Sequence, residues 1–157
     1  MEEPSTIHST FVLERHYPAS PVQVFQALAD PAKKRRWFAE SGAHDIEIYD
    51  LDFQVGGVER ARYRFKPGGP FAGVALNSQG VHLEITPERR VVIASTMAME
   101  DRIFSASLVT FELLPSADGV TLICTHQGAF FEGADGPEMR QDGWSKLLDQ
   151  LAQFLAS

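Results

Sequence analysis

The sequence has little cysteine, few basic residues and no long apolar run. Its single cysteine, Cys124, allows no disulfide within the chain and excludes a metal site made of cysteines alone. No apolar segment approaches the ~20 residues of a membrane-spanning helix. Lysine and arginine number 14 against 21 aspartate and glutamate residues, for a net charge of −7. Such a surface repels nucleic-acid phosphates and anionic membranes, so we expect neither as a partner.

Targeting and catalytic motifs are also missing. Residues 1–4 are acidic and lack the basic-then-apolar order of a signal peptide, so we expect a cytoplasmic protein. The serine-hydrolase and zinc-protease motifs do not occur, and whether the protein is an enzyme stays open. No two histidines have the i, i+2 or i, i+4 spacing of metal ligands on one strand or helix, so we expect no metal and no cofactor. These histidines are His8, His16, His44, His82 and His126.

The clearest positive feature is an amphipathic helix predicted over residues 136–157. Pro137 suits its first position, where a missing N–H costs nothing. Its apolar residues recur with the period of an α-helix and form one stripe: Trp144, Leu147, Leu148, Leu151, Phe154 and Leu155. A helix with so long an apolar face needs a broad partner.

That partner is predicted to be a sheet, because nearly everything upstream alternates as strands do. A first strand over 7–17 is followed by two short helices, capped by Ser20 and Asp30 with Pro21 and Pro31 at their first positions. About six strands follow as hairpins, over 44–53, 58–65, 71–86, 91–99, 103–114 and 120–129, with a possible bulge at Gly80. The prediction is one α+β domain over residues 1–157, with a curved antiparallel sheet wrapped around the C-terminal helix.

Several short motifs in this order resemble a known family. They are Pro18-x-x-Pro21-x-x-Val24-Phe25, Asp30-Pro31 with Trp37-Phe38, Val55-Gly56-Gly57, Gly80-x-x-x-Glu84-Ile85-x-Pro87-x-Arg89, Phe111 with Gly119-x-x-Leu122 and His126, and Gly143-Trp144-x-x-Leu147-Leu148. Together they resemble the helix-grip fold of the SRPBCC superfamily, which includes START lipid-transfer domains and birch-pollen-allergen (Bet v 1-like) proteins. Within it, the chain is most similar to bacterial homologues of the activator of heat-shock-protein ATPase.

The resemblance implies a cavity between sheet and helix that binds a hydrophobic, aromatic or lipid-like molecule, in a monomer or weak homodimer. A second possibility is a polyketide-cyclase-like enzyme that uses a histidine or carboxylate in the cavity. A third, a chaperone-interaction module, rests on the family name. For the first, we predict these ligand-contacting residues: Trp37, Phe38, Tyr63, Phe111, Leu122, His126, Trp144 and Leu148.

His126 is the strongest single candidate for a polar group in the cavity. It shares strand phase with Val120, Leu122 and Cys124, the phase assigned to the interior. An imidazole there would bond a ligand oxygen or act as a general base. The alternative is a core histidine bonded to backbone or water. Cys124 itself is predicted to be a small buried hydrophobe.

Five further features have two interpretations each. His82 and Glu84 share a phase that faces either solvent or the cavity. The arginines at 60, 62 and 64 fit a charged outer face of the sheet better than a row of side chains that binds an acidic ligand. The basic run over 33–36 fits a solvated helix end better than an anion site. Gly143 is costly inside a helix, and it is explained either by a close approach of the helix backbone to a strand or to the Trp37 segment, or by core packing alone. Met97 and Met99 are candidates for pocket lining or core.

Overall fold

A computed structural model describes residues 5–40 and 44–157. The elements follow in this order: β1 (Ile7–Tyr17), α1 (Pro21–Ala29), α2 (Pro31–Lys34) continuing into a π-helical segment (Arg35–Ala39), β2 (His44–Leu51), β3 (Val58–Phe65), β4 (Ala75–Thr86), β5 (Arg90–Met99), β6 (Arg102–Ser116), β7 (Gly119–Phe130) and α3 (Pro137–Ala156). Within these residues no helix is both long and apolar enough to cross a membrane.

The strands form one antiparallel sheet in the order β1-β7-β6-β5-β4-β3-β2. Strands β2 to β7 are joined as successive hairpins, while β1 lies along β7, pairing Ile7 with Phe130 and Tyr17 with Val120. The sheet curves, and two short helices and the long C-terminal helix complete an α+β helix-grip fold. The predicted fold class is therefore confirmed.

The helix starts are confirmed at the predicted residues. The Ser20 hydroxyl accepts a hydrogen bond from the Gln23 backbone N–H at 3.1 Å, and the Gln23 side chain accepts one from the Ser20 backbone N–H at 2.9 Å, a capping box. The Asp30 carboxylate accepts from the Lys33 backbone N–H at 3.0 Å and caps α2. Pro137 begins α3.

The apolar stripe of α3 packs into the main core. Leu148 and Leu151 are fully buried there, and Trp144, Leu147, Phe154 and Leu155 pack against the same cluster. A hydrogen bond fixes the helix to the edge strand, because the Tyr17 hydroxyl donates to the Leu148 carbonyl at 2.9 Å. Burial raises the pKa of that phenol above its ordinary value, which keeps it a donor.

A β-bulge resolves the facing of His82 and Glu84. The bulge falls between these two residues, three positions beyond the predicted Gly80. Leu83 is the extra residue and is 51% exposed. His82 is buried and contacts the Gly57 carbonyl through Nδ1 at 3.0 Å, whereas Glu84 bonds Arg90 at a half-exposed position. The bulge breaks strict alternation, so the two side chains form neither the solvent pair nor the cavity pair that the sequence allowed.

The interpretation of the basic run as a solvated helix end is wrong for Lys34. Its side chain is buried, with 2% of the residue exposed, and its Nζ lies 2.8 Å from Glu59 Oε1. The other basic residues of the run are exposed or half-buried. The partner carboxylate on β3 explains the difference, since a lysine is rarely buried unless it is paired.

Candidate functional site

A row of small residues crosses the face of the sheet that carries His126. Ser95 on β5 pairs with Gly80 on β4 and with Ser107 on β6, and Ser107 pairs with Gly128 on β7. Directly paired residues share one face of a sheet, so this row presents almost no side-chain bulk. The backbone of α3 packs closest to β1, α1 and the π-helical segment, and not to the middle strands. Space therefore remains between α3 and the middle of the sheet.

That space is a cavity of about 440 Å³. Its described lining comes from the π-helical segment, β2 to β7, the connection before α3, and α3: Phe38, His44, Tyr63, Leu76, Ser78, Ser95, Met97, Ser107, Val109, His126, Asp135, Met139, Arg140, Gly143, Trp144, Lys146, Leu147 and Gln150. Met139 is 65% exposed, and Lys146 is also exposed, so the cavity reaches solvent beside α3. The volume falls in the range of small-molecule pockets, about 300–1,000 Å³.

The structure divides the predicted ligand-contacting residues into two groups of four. Phe38, Tyr63, His126 and Trp144 line the cavity. The other four are buried in the main core and do not line it: Trp37, Phe111, Leu122 and Leu148. Of the two methionines considered, Met97 is in the lining. Trp144 links the groups, because its ring meets that of Phe111 edge-on at a centroid distance of 5.8 Å.

His126 faces inward, as its strand phase indicates, and is 1% exposed. Its ring stacks on Phe11, with centroids 4.7 Å apart and planes within 5°, and lies near Phe130 at 6.2 Å. Gly128 allows this arrangement, since a Cβ there would lie 2.8 Å from the imidazole. Burial, and secondarily the charge of Arg140, lowers the pKa of His126 to about 4, so the ring is neutral at pH 7. Its Nδ1 has no hydrogen-bond partner in the described residues.

Beside His126 lies an arginine whose charge is already matched. Arg140 donates to both carboxylate oxygens of Asp135, from Nε at 2.8 Å and Nη2 at 2.9 Å. The same Nη2 donates to the Ser105 hydroxyl at 2.8 Å. The guanidinium also lies over the Phe130 ring at 5.0 Å. The bond to Ser105 ties the start of α3 to β6, and the bidentate pair with Asp135 holds the guanidinium in place for that bond.

A second polar cluster supports the opposite wall. Glu59 accepts from Lys34 at 2.8 Å and from the Tyr49 hydroxyl at 2.5 Å. The Lys34 ammonium lies 4.7 Å from the centroid of the Phe38 ring, which lines the cavity. Burial and the Glu59 charge raise the pKa of Tyr49 above its ordinary value, so it stays a donor. The cluster thereby holds the π-helical segment on β3.

The sequence offered unused signals for several polar lining residues. Arg140 lies four positions before Trp144 on the same helix face, which predicts burial despite its charge. Ser95 and Ser107 lie in the inward phase of their strands, next to Ile93 and Val109. Asp135 joins the site through its pairing with Arg140. Among the described residues, no three histidine, cysteine or acidic side chains come together as metal ligands would.

The explanation of Gly143 by close backbone approach is wrong. A Cβ at this position would meet nothing within 4 Å, because the residue borders the cavity. Cys124, in contrast, is fully buried in the core. Burial raises the pKa of its thiol to about 12, so it behaves as a small apolar side chain.

A curved antiparallel sheet that holds a long C-terminal helix across a cavity defines a helix-grip protein. Comparison with known proteins gives the same class. The model of the family described as Activator of Hsp90 ATPase homolog 1-like protein matches residues 18–156. The chain therefore belongs to the family of Activator of Hsp90 ATPase homolog 1-like proteins.

Solved structures of similar proteins cover nearly the whole chain. A protein from Rhizobium loti is 43% identical, with 97% of this chain and 100% of that chain covered and a TM-score of 0.83. A putative uncharacterized protein from Rhizobium leguminosarum is 32% identical, with 97% of each chain covered and a TM-score of 0.90. An AHSA1-like protein from Aeromonas hydrophila, 20% identical over 94% of this chain and 92% of its own, shares the fold with a TM-score of 0.69. No curated protein matches.

Proposed function

We propose that the protein binds a small, mainly apolar organic molecule in the cavity between α3 and the sheet. The observation that carries the proposal is the 440 Å³ space, whose lining combines aromatic and aliphatic side chains with a few polar groups. Pockets of this size and composition are typical of small-molecule sites. Family membership supports the same conclusion at the level of the fold.

Binding is favoured over a polyketide-cyclase-like reaction. A general base works best when its pKa lies near the working pH, and His126 has a pKa of about 4. Asp135 is the one carboxylate among the described lining residues, and both of its oxygens accept from Arg140. The lining residues that the structure describes thus offer walls and hydrogen bonds rather than a poised acid–base pair.

Two substitutions on β5 test the proposal: one fills the cavity, and the other, at the next residue on the opposite face, is its control. Ser95→Phe places a ring in the cavity, whereas Thr96→Phe places the same ring on the outer face. We expect the neutral fluorophore N-phenyl-1-naphthylamine to bind the wild-type chain and Thr96→Phe with a blue-shifted emission. Ser95→Phe should bind roughly tenfold more weakly or not at all, since a filled pocket has no room for the probe.

Circular dichroism and thermal unfolding establish that both variants are folded. Equal binding by Ser95→Phe and Thr96→Phe would place the probe elsewhere and contradict the proposal. Failure of the wild-type chain to bind any of a panel of neutral aromatic compounds would contradict it as well. Native mass spectrometry of freshly purified protein complements the titration, because a retained molecule would identify the ligand class directly.

A further inference from the structure

The cavity opens along one flank of α3. Among the lining residues that the structure describes, three are exposed, and all three belong to this helix: Met139, Gly143 and Lys146. Their spacing of i, i+4 and i+7 places them one above the other on a single helix face. The rest of the described lining is half-buried or buried. These three residues therefore form the mouth of the cavity.

Hydrogen-bonded elements border the cavity on its other sides. The paired strands of the sheet form its floor. The opposite flank of α3 is held to β1, where the Arg15 guanidinium donates to the Ser145 hydroxyl at 2.7 Å. At the start of the helix, Arg140 donates to the Ser105 hydroxyl of β6 at 2.8 Å. In the described part of the chain, the flank that carries the mouth is thus the way into the cavity.

The middle of the mouth has no side chain. Gly143 lies between Met139 and Lys146, whose backbones are about 10 Å apart along the helix axis. A Cβ at Gly143 would meet nothing within 4 Å. The two flanking side chains are long and unbranched, and Lys146 is paired with Asp142 at 3.0 Å on the surface, where such pairs are weak. The mouth consists of bare helix backbone between two movable side chains.

Neither backbone conformation nor packing explains a glycine at this position. Inside a helix, glycine costs about 1 kcal/mol relative to alanine. Gly136, just before the helix, has a φ of +89°, whereas Gly143 has the ordinary backbone of a helix. At Gly128 a Cβ would collide with the His126 ring, whereas at Gly143 it would enter open space. The fold therefore gives no reason for the cost of Gly143, and its place in the mouth of the cavity does.

We propose that Gly143 is the entrance of the cavity: its missing side chain leaves open the route by which a ligand passes between solvent and the interior. This rests on the proposed function, because it assigns the route of the molecule that the cavity binds. A larger side chain at this position would narrow the route without filling the interior. Residue 143 therefore controls how fast a ligand enters and leaves, whereas the interior walls determine how tightly it binds.

A removable block at residue 143 tests this assignment. In Gly143→Cys, benzyl methanethiosulfonate attaches a benzylthio group to the new thiol through a disulfide, which dithiothreitol removes. The native Cys124 is fully buried and burial raises the pKa of its thiol to about 12, so it does not react. The protein is loaded with N-phenyl-1-naphthylamine before it is modified, so that the block closes over an occupied cavity.

Release of the probe on dilution is followed by stopped-flow fluorescence. We expect the blocked protein to release it roughly tenfold or more slowly than the same protein after reduction with dithiothreitol, because exchange through a covered entrance needs an additional conformational step. Gln141→Cys is the control, since this position of α3 is exposed and lies outside the cavity lining. Its release rate should be the same before and after reduction.

The outcomes separate the entrance from the binding function. Release that is equally fast or faster in the blocked Gly143→Cys protein would overturn the entrance and leave binding in the cavity standing. Equal slowing in the modified Gln141→Cys protein would also overturn it, because the block would then act without covering the mouth. A wild-type chain that does not bind the probe would overturn the proposed function, and the entrance with it.

Discussion

The imidazole of His126 lies flat against the phenyl ring of Phe11, with centroids 4.7 Å apart and an angle of 5° between their planes. Phe130 lies beyond it and Arg140 lies close enough for its charge to act on the ring. A histidine in this setting gives up its proton readily, because the protonated form would lose its hydration beside a cation. The buried position of His126 in the cavity wall should therefore make the stability of the fold depend on pH.

This arrangement predicts a specific pH dependence of stability. The pKa of His126 is about 4 in the folded chain and near 6.5 for an unperturbed histidine. As the pH falls through this window, the unfolded chain binds a proton that the folded chain does not, so the free energy of unfolding decreases. Because one pKa unit corresponds to about 1.4 kcal/mol, the loss from His126 is at most about 3.5 kcal/mol.

Urea denaturation of the wild-type chain and His126→Gln between pH 5 and 7 measures this effect. The variant should lose most of the slope, since glutamine does not titrate. The half-buried His44, whose pKa is lowered in the same direction, accounts for a smaller remainder. A slope that is the same in both proteins would mean that His126 does not titrate as proposed.

The buried ion pair between Lys34 and Glu59 predicts a large mutational effect. Lys34→Met leaves Glu59 without its counter-ion in the interior, and breaking a buried pair in this way costs about 3–5 kcal/mol. Lys33→Met, at the exposed neighbouring position, should change the free energy of unfolding by less than about 0.5 kcal/mol. Chemical denaturation compares the two.

A double variant distinguishes pairing from simple packing at this site. Lys34→Met combined with Glu59→Gln removes both charges, so it should recover a large part of the stability that Lys34→Met alone loses. Equal losses for the single and the double variant would show that the pair itself is unimportant.

Two glycines with open space around them, one inside α3 and one just before it, should respond to alanine in opposite ways. Gly143 lies inside the helix, so Gly143→Ala should raise the free energy of unfolding by about 1 kcal/mol. Gly136 precedes the helix with a φ of +89°, which an L side chain rarely adopts, so Gly136→Ala should lower it by about 1–2 kcal/mol. Thermal unfolding of both variants tests this, and a destabilising Gly143→Ala would restore the close-approach explanation.

The fold could be predicted from sequence because its signals are local. The Ser20 cap and the apolar stripe from Trp144 to Leu155 each depend on residues within a few turns of one another. The strand alternation that placed His126 inside is equally local. These signals fix element type and facing wherever the period is unbroken.

The parts that sequence did not predict depend on contacts between distant residues. Burial of Lys34 follows from Glu59, 25 residues later, and Ser105 reaches Arg140 across 35 residues. The bulge at Leu83 interrupts the strand alternation from which the facing of His82 and Glu84 was predicted. The core positions of Trp37 and Phe111 look identical to cavity positions in sequence, since both require large apolar residues.

The two tryptophans provide the most direct test of the central claim, that a small molecule binds between α3 and the sheet. Trp144 lines the cavity, whereas the indole N–H of Trp37 donates to the Ala27 carbonyl at 2.8 Å in the core. In a ¹⁵N-labelled sample titrated with 2,6-dihydroxynaphthalene, the Trp144 indole resonance should shift strongly and that of Trp37 much less. Shifts confined to outer-face residues such as Thr96, with the Trp144 indole unmoved, would contradict the account.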